Sequence, residues 1–307
     1  MKILRNPTHT GPCVLVLGMF DGVHRGHQAL LLEGLRLKEK LGLPLHVCTF
    51  EPHPLAVIRP ELAPPMLTTL PERAQVMATF GVDALCVTTF TKQRADETPE
   101  AFMQDMAEIY QPAAVVCGYN FTFGQKGAGN GDTLKEGGAK YGWETVVVPE
   151  FTWHGQQVCS TRIRSLLHDG DVTTAAKLLG HFYTMSGKVV SGRQFGHELG
   201  FPTANITIPK GKVIPENGVY VTMLETKDGM RRSVTNVGLH PTLPGGGVTI
   251  EAHVLGDCPD LYGQQARVYF LKFVRAERQF ESAEQLRQRI EADTVEAKAY
   301  FAELYGE

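Results

Sequence analysis

Two histidines three residues apart, His24 and His27, bracket Gly26 in the stretch Val14-Leu-Val-Leu-Gly-Met-Phe-Asp-Gly-Val-His-Arg-Gly-His27. An apolar run, Val14–Leu17, reads as a buried strand and is followed at once by Gly18; helix formers begin at Gln28. A strand, a glycine-rich turn and a helix N-terminus bring free backbone N–H groups and the positive end of a helix dipole to one point, which suits a phosphate. Two imidazoles at that point can both face a bound triphosphate. Taken alone, the pair also reads as surface histidines at a helix start, or as half of a metal site. A zinc site would need more Cys, His or carboxylate at ligand spacing, and Asp21 is the only close candidate. The order of strand, glycine turn and helix favours phosphate.

Further chemistry-bearing residues cluster after other apolar runs. Thr49-Phe-Glu-Pro-His-Pro54 sets two prolines beside His53. Gly118-Tyr-Asn-Phe-Thr-Phe-Gly124 and Gln125-Lys-Gly-Ala-Gly129 combine aromatic rings with a glycine-rich turn, offering faces for a planar ligand or packing for a core. Cys159-Ser-Thr-Arg-Ile-Arg164 opens a helix that Ser160 or Thr161 can cap. Arg162 and Arg164 there add donors suited to phosphate oxygens, although an ordinary capped surface helix would look the same.

The elements that must position these residues change character along the chain. In the first half, strand-like runs at 14–17, 45–50, 84–87, 113–117 and 145–148 alternate with helix-like stretches at 28–41, 71–80 and 99–110. That alternation predicts a parallel sheet with helices on its faces, and ligands in such sheets bind beyond the carboxyl ends of the strands. Asp169 to Gly180 reads as a capped helix with its closing glycine. From His181 onward, short β-branched runs at 184–190, 219–225, 232–237, 248–255 and 266–274, separated by Gly and Pro, predict a small antiparallel barrel. Residues 282–304 read as one amphipathic helix with Leu286, Ile290 and Ala297 on one face. The expected division is therefore 1–180 and 181–307.

A chain of 307 residues suffices for two domains, and its hydrophobic content of 43% and charged content of 21% are ordinary for a globular protein. A net charge of −3 and a pI near 6.4 argue against a nucleic-acid partner. No apolar run reaches membrane-spanning length and the N-terminus lacks a signal-peptide core, so a cytoplasmic location is expected. The six cysteines form no C-x-x-C pair and are expected to be reduced, the first four of them buried.

The H-x-G-H motif resembles the signature of the α/β nucleotidyltransferases. Together with the Ser-Thr-x-Ile-Arg segment it resembles the FMN adenylyltransferase module of the prokaryotic bifunctional riboflavin kinase/FAD synthetases. The likeness continues through Gly187-Lys-Val-Val-Ser-Gly-Arg-Gln-Phe-Gly-His-Glu-Leu-Gly-Phe-Pro-Thr-Ala-Asn205, Asn217-Gly-Val-Tyr220, Asn236-Val-Gly-Leu-His-Pro-Thr242, Glu251-Ala-His-Val-Leu255 and Leu261-Tyr-Gly263. The resemblance implies a Rossmann-like α/β nucleotidyltransferase domain followed by a small β-barrel riboflavin kinase domain with a C-terminal helix. It implies phosphorylation of riboflavin by ATP to FMN, then adenylylation of FMN to FAD with release of pyrophosphate. The same motifs leave two alternatives, a kinase with a degraded adenylyltransferase and a non-enzymatic flavin-binding regulator.

By the same resemblance, His24, His27 and Arg164 serve adenylyl transfer. Gly18, Phe20, Asp21, Gly22, Gly26, Ser160 and Thr161 lie around ATP, and Phe50, His53, Pro54, Asn120 and Phe123 on the flavin side. Gly187, Gly192 and Gly196 belong to the kinase phosphate loop. Thr203 and Asn205 offer neutral oxygens to the Mg²⁺ of MgATP, which borrows its other ligands from phosphate and water. Glu251 is the expected base for the ribityl hydroxyl. No G-x-x-x-x-G-K-[ST] occurs, so the kinase is not of the P-loop kind. Departures from the family pattern are Asn120 for Asp, His197 for Arg, Gly256 before Asp257 where Leu is commoner, and Leu243 after Thr242.

Overall fold

The computed structural model describes residues 1–190, 201, 203–239, 247–258 and 260–306. Contacts divide the chain into two compact units, Met1–Ser160 and Thr161–Glu307. The first unit holds a six-stranded sheet of order β1-β4-β3-β2-β5-β6. Its strands are β1 (Lys2–Arg5), β2 (Cys13–Leu17), β3 (Leu45–Glu51), β4 (Ala84–Thr89), β5 (Pro112–Gly118) and β6 (Glu144–Val148), and every pairing is parallel. The helices are α1 (Arg25–Leu41), α2 (Pro54–Ile58), α3 (Leu70–Ala78), α4 (Lys92–Ala95), α5 (Pro99–Tyr110) and α6 (Gly131–Tyr141).

All five residues of β2 are buried, as a strand with helices on both faces requires. Val14 and Val16 join one core with Leu31, Leu37 and Met77 from α1 and α3. Cys13, Leu15 and Leu17 join the other with Phe102, Met106 and Leu134 from α5 and α6. The strand order reverses between β2 and β5, so the carboxyl ends of those two strands open a crevice. Gly18 and the residues from Gly118 onward stand at those ends.

The second unit contains α7, which spans Ser160–His168 across the division, and α8 (Val172–Leu179). The capped helix read from Asp169 to Gly180 is α8: Asp171 caps its start and Gly180, at φ 76°, ends it. Six antiparallel strands then close a barrel in the order β10-β13-β12-β11-β14-β9. They are β9 (Tyr183–Val190), β10 (Thr203–Ile206), β11 (Gly218–Thr226), β12 (Gly229–Leu239), β13 (Val248–Val254) and β14 (Gln265–Ala276); the two short strands before them, β7 (Thr152–Trp153) and β8 (Gln156–Gln157), pair as a small antiparallel ribbon in the first unit. α8 packs on β14 and β9, with the Thr173 hydroxyl donating to the Leu271 carbonyl at 3.1 Å. Residues 161–179 thus belong to the compact unit of the barrel, ahead of the border at 181 expected from sequence.

The last helix, α9 (Ala283–Tyr305), buries Asp293, Ala297 and Phe301. Leu286 and Ile290 lie half-buried on the same stripe. The buried Asp293 is matched by Arg275 at 2.8 Å and Arg289 at 2.9 Å, as a desolvated carboxylate requires.

Candidate active sites

A cavity of about 660 Å³ lies at the sheet crevice of the first unit. Its walls include Gly18, His24, Gly26, His27 and Ser160 together with Phe50, Pro54, Asn120 and Phe123. Nine residues singled out from sequence therefore meet in one space. His24 caps α1: its Nδ1 accepts the His27 N–H at 3.3 Å, which leaves the Nε2 edge to carry the proton. The two imidazoles stack, with centroids 3.7 Å apart and planes 16° from parallel. A Cβ on Gly26 would lie 3.1 Å from the His24 ring, so a glycine there lets the stack form. Burial first, then the His24 ring and the Arg73 guanidinium, hold His27 well below the usual imidazole range. It is a neutral donor at neutral pH, with its Nδ1 buried and without a hydrogen-bond partner.

The aromatic wall is built by mutual packing. Phe102 and Phe123 have centroids 4.9 Å apart, Phe121 and Phe123 5.8 Å, and Phe50 and Phe90 5.2 Å. Gly129 lies flat behind Phe123, where a Cβ would come within 2.7 Å of the ring. Near this wall the Tyr119 hydroxyl donates to Glu150 at 2.7 Å and takes a hydrogen bond from Gln157.

Other expected residues stand elsewhere. Phe20 is fully buried, its ring 5.1 Å from that of His27. Asp21 is 3% exposed, and its carboxylate accepts the backbone N–H of Leu67 at 2.9 Å and of Thr68 at 3.1 Å. Gly22 donates to the Thr68 hydroxyl at 2.9 Å. His53 caps α2, accepting the Leu55 N–H, and does not line the cavity. Ser160, in the cavity wall, donates to the Asp21 carbonyl at 2.9 Å, while Thr161 and Arg164 fall in the second unit on α7.

In the barrel, Ile250, Ala252 and Val254 point inward and are buried, so Glu251 and His253 lie on the opposite face of β13. Register pairs Glu251 with Asn205 of β10 on one side and Asn236 of β12 on the other, and pairs Thr203 with His253. Directly opposed Cβ atoms in such pairs stand about 5 Å apart. Thr203, Asn205, Glu251 and Asn236 therefore share one half-buried patch, where Thr249 donates to Glu251 at 3.4 Å. A Cβ at Gly187 would lie 2.0 Å from the Thr207 carbonyl, which explains the glycine by close approach of β9 to the end of β10. Gly192 and Gly196, like His197 and the Thr242-Leu243 pair, lie outside the described residues. Among the described residues no group of three His, Cys, Asp or Glu side chains could hold a metal ion. The neutral oxygens of Thr203 and Asn205 beside a carboxylate fit a Mg²⁺ that arrives with ATP phosphates and water.

Family models match both units: FAD synthetase over residues 6–162 and riboflavin kinase over residues 179–301. The bifunctional riboflavin kinase/FMN adenylyltransferase of Escherichia coli K12 is 36% identical over 292 residues, covering 94% of this chain and 93% of its own. This chain belongs to that family. The bifunctional riboflavin kinase/FMN adenylyltransferase of Listeria monocytogenes is 34% identical, covering 95% and 93%. A crystal structure of a Streptococcus pneumoniae protein described as a macrolide-efflux protein superposes with a TM-score of 0.87 at 29% identity, covering 97% of this chain and 99% of that one. In this member of the riboflavin kinase/FMN adenylyltransferase family, no helix among the described residues is long and apolar enough to cross a membrane.

Sequence reasoning passed over Arg73, Arg94, Tyr119 and Gln157. Tyr119 belongs to the aromatic 118–124 motif, which is the local signal for it. Arg94 lines the cavity while paired to Glu97 and Asp105 at 2.7 and 2.6 Å, and nothing local in Thr91-Lys-Gln-Arg94 marks it.

Proposed function

We infer that this chain is a cytoplasmic enzyme that carries out two successive transfers on one flavin. The observation that carries the reading is the pairing, in one chain, of a stacked His24–His27 cavity walled by aromatic rings with an Asn205–Glu251–Asn236 row on a barrel of the riboflavin kinase family. In the second unit, Glu251 takes the proton of the terminal ribityl hydroxyl of riboflavin as that oxygen attacks the γ-phosphorus of ATP. The bond to the β-phosphate oxygen breaks, giving FMN and ADP. Thr203 and Asn205 would hold the Mg²⁺ of MgATP, which would neutralise phosphate charge. Positioning and charge compensation are the main sources of rate in such transfers.

In the first unit, a phosphate oxygen of FMN attacks the α-phosphorus of a second ATP, and pyrophosphate leaves. His24 and His27 donate to the α-phosphoryl oxygens as their charge grows, an electrostatic role. Gly18 and Gly26 let backbone and rings approach the phosphates. Phe50, Pro54 and Phe123 provide the apolar faces for the isoalloxazine, with Asn120 at its polar edge. Thr161, Arg164, Gly187, Gly192 and Gly196 remain phosphate contacts in this reading.

The test is to incubate the purified full-length protein with riboflavin and MgATP and to separate the flavins by chromatography over time. FMN is expected first and FAD after it. FMN that accumulates without FAD under excess ATP contradicts the adenylyl-transfer half.

A further inference from the structure

The loop between β2 and α1 is held in a shape that its own residues disfavour. Phe20 has φ 52°, Gly22 84° and Val23 42°, all in the left-handed region. A β-branched residue there is a genuine outlier, and each such non-glycine residue carries backbone strain that the surroundings must offset. The surroundings do so from the N-terminal end of α3. Asp21 takes the amides of Leu67 and Thr68, and Thr68 takes the amide of Gly22. The Met19 carbonyl is gripped twice, by the Thr49 hydroxyl at 3.1 Å and by Arg73 Nη1 at 3.2 Å.

Arg73 is the unusual member of this set. It is 3% exposed, and its buried Nε has no hydrogen-bond partner. Arginine is rarely buried to that degree, and a desolvated guanidinium with an unmet donor costs stability. The carboxylates whose charge reaches it are Asp21 and Glu51. A capping box between Thr69 and Glu72 fixes the first turn of α3, so Arg73 is delivered from a rigid element.

We propose that Arg73 is a positioning residue for adenylyl transfer, locking the strained Met19–Val23 turn so that the stacked His24 and His27 face the α-phosphoryl group. The proposal rests on assigning the first cavity to FMN adenylylation. Its positive charge has a second consequence at His27. The charged and titratable groups acting on that ring are His24 and Arg73, and after burial both oppose protonation. Arg73 thereby helps to keep His27 a neutral donor.

The test uses full-length wild type, Arg73→Met and Arg73→Lys. FMN adenylylation and riboflavin phosphorylation are measured on the same samples, and the His27 imidazole is titrated by NMR with ¹⁵N-labelled histidine. Arg73→Met is expected to lower kcat for FAD synthesis by about 10- to 100-fold, the scale of a misplacement near 1 Å, with smaller changes in KM and an unchanged kinase rate. The His27 titration is expected to move upward. Arg73→Lys keeps a charge and a donor, so it should regain part of the rate and return the titration toward wild type. Wild-type FAD synthesis together with an unmoved His27 titration in Arg73→Met overturns the proposal. If Arg73→Met does not fold, Arg73→Lys decides: a reduced kcat with an intact kinase supports the role, and a wild-type kcat overturns it. A wild-type protein that makes FMN but no FAD would strike the adenylyl-transfer reading itself, and the His27 titration in Arg73→Met would still report whether Arg73 acts on that ring.

Discussion

Replacing Asp21 by Asn separates a role in the fold from a role at the phosphates. The wild-type carboxylate takes the Leu67 N–H through both oxygens, at 2.9 and 3.1 Å, together with the Thr68 N–H at 3.1 Å and the Thr68 hydroxyl at 3.3 Å. Asparagine keeps one carbonyl oxygen for these donors, but its amino group then faces the Leu67 N–H donor to donor. Hydrogen bonds to a charged acceptor contribute about 1.5–3 kcal/mol, and a buried donor left unmet costs a similar amount, so the substitution should cost roughly 2–4 kcal/mol. In a unit of this size each kcal/mol moves the midpoint by about 2–4 °C, which predicts a fall of roughly 5–15 °C. Both tryptophans, Trp143 and Trp153, lie in the first unit, so the thermal transition followed by tryptophan fluorescence reports that unit alone. A wild-type midpoint combined with a raised KM for ATP in FAD synthesis would refute the structural role and make Asp21 a ligand contact.

Three further outcomes are expected. His27 is neutral in the fold far below the ordinary imidazole value, so below about pH 6.5 the unfolded chain takes up a proton that the native chain refuses, and stability falls by roughly 1.4 kcal/mol per pH unit from this residue. His46, lowered by burial, adds a slope of the same sign; urea unfolding at pH 5, 6 and 7 should show the loss, His27→Gln should lessen it, and a flat profile would contradict the burial argument. Burial pushes the Cys13 thiol up to about 12 and Cys117 to about 11, with Cys48 and Cys86 also raised, so iodoacetamide at pH 8 should modify Cys258 and Cys159 and spare the other four until the protein unfolds, as read by mass spectrometry. A fragment of residues 161–307 should phosphorylate riboflavin and melt well above one of 181–307, because the shorter fragment loses Val172, Leu178 and Leu179, each contributing about 1.5–3 kcal/mol by burial; equal midpoints would show that α8 is dispensable.

Central strands and the residues at their carboxyl ends were legible because burial on both faces writes a continuous apolar run, as in Val14–Leu17 and Ala113–Cys117. Helix α6 leaves no helical signal in the sequence, since Gly131, Gly137 and Gly138 within eleven residues look like a loop. The fold explains them by close packing: a Cβ at Gly137 would meet the Met103 sulfur at 2.3 Å, and one at Gly138 the Trp143 carbonyl at 2.4 Å. The edge strand β1 carries too few buried residues to leave a pattern. In the site, His24, His27 and the aromatic wall follow from local motif chemistry. Arg73 does not, because in Pro71-Glu-Arg73 it looks like any charge on a helix surface, and only the tertiary contact with Met19 sets it apart. Asp21 looked like a phosphate-loop residue for the converse reason: its partners, Leu67 and Thr68, are distant in sequence.

The most direct measurement crosses two variants with two substrates. Full-length Glu251→Gln and His27→Ala are each given riboflavin or FMN with MgATP, and the products are resolved by chromatography. Glu251→Gln keeps the shape of the side chain and removes the base, so riboflavin phosphorylation should fall by roughly two to four orders of magnitude while FMN is still converted to FAD. His27→Ala removes a donor to the α-phosphoryl oxygens, so FAD synthesis should fall by about 100-fold or more, chiefly in kcat, while riboflavin is still phosphorylated. Loss of both activities in either variant, or of neither, would contradict two separate sites carried by these residues.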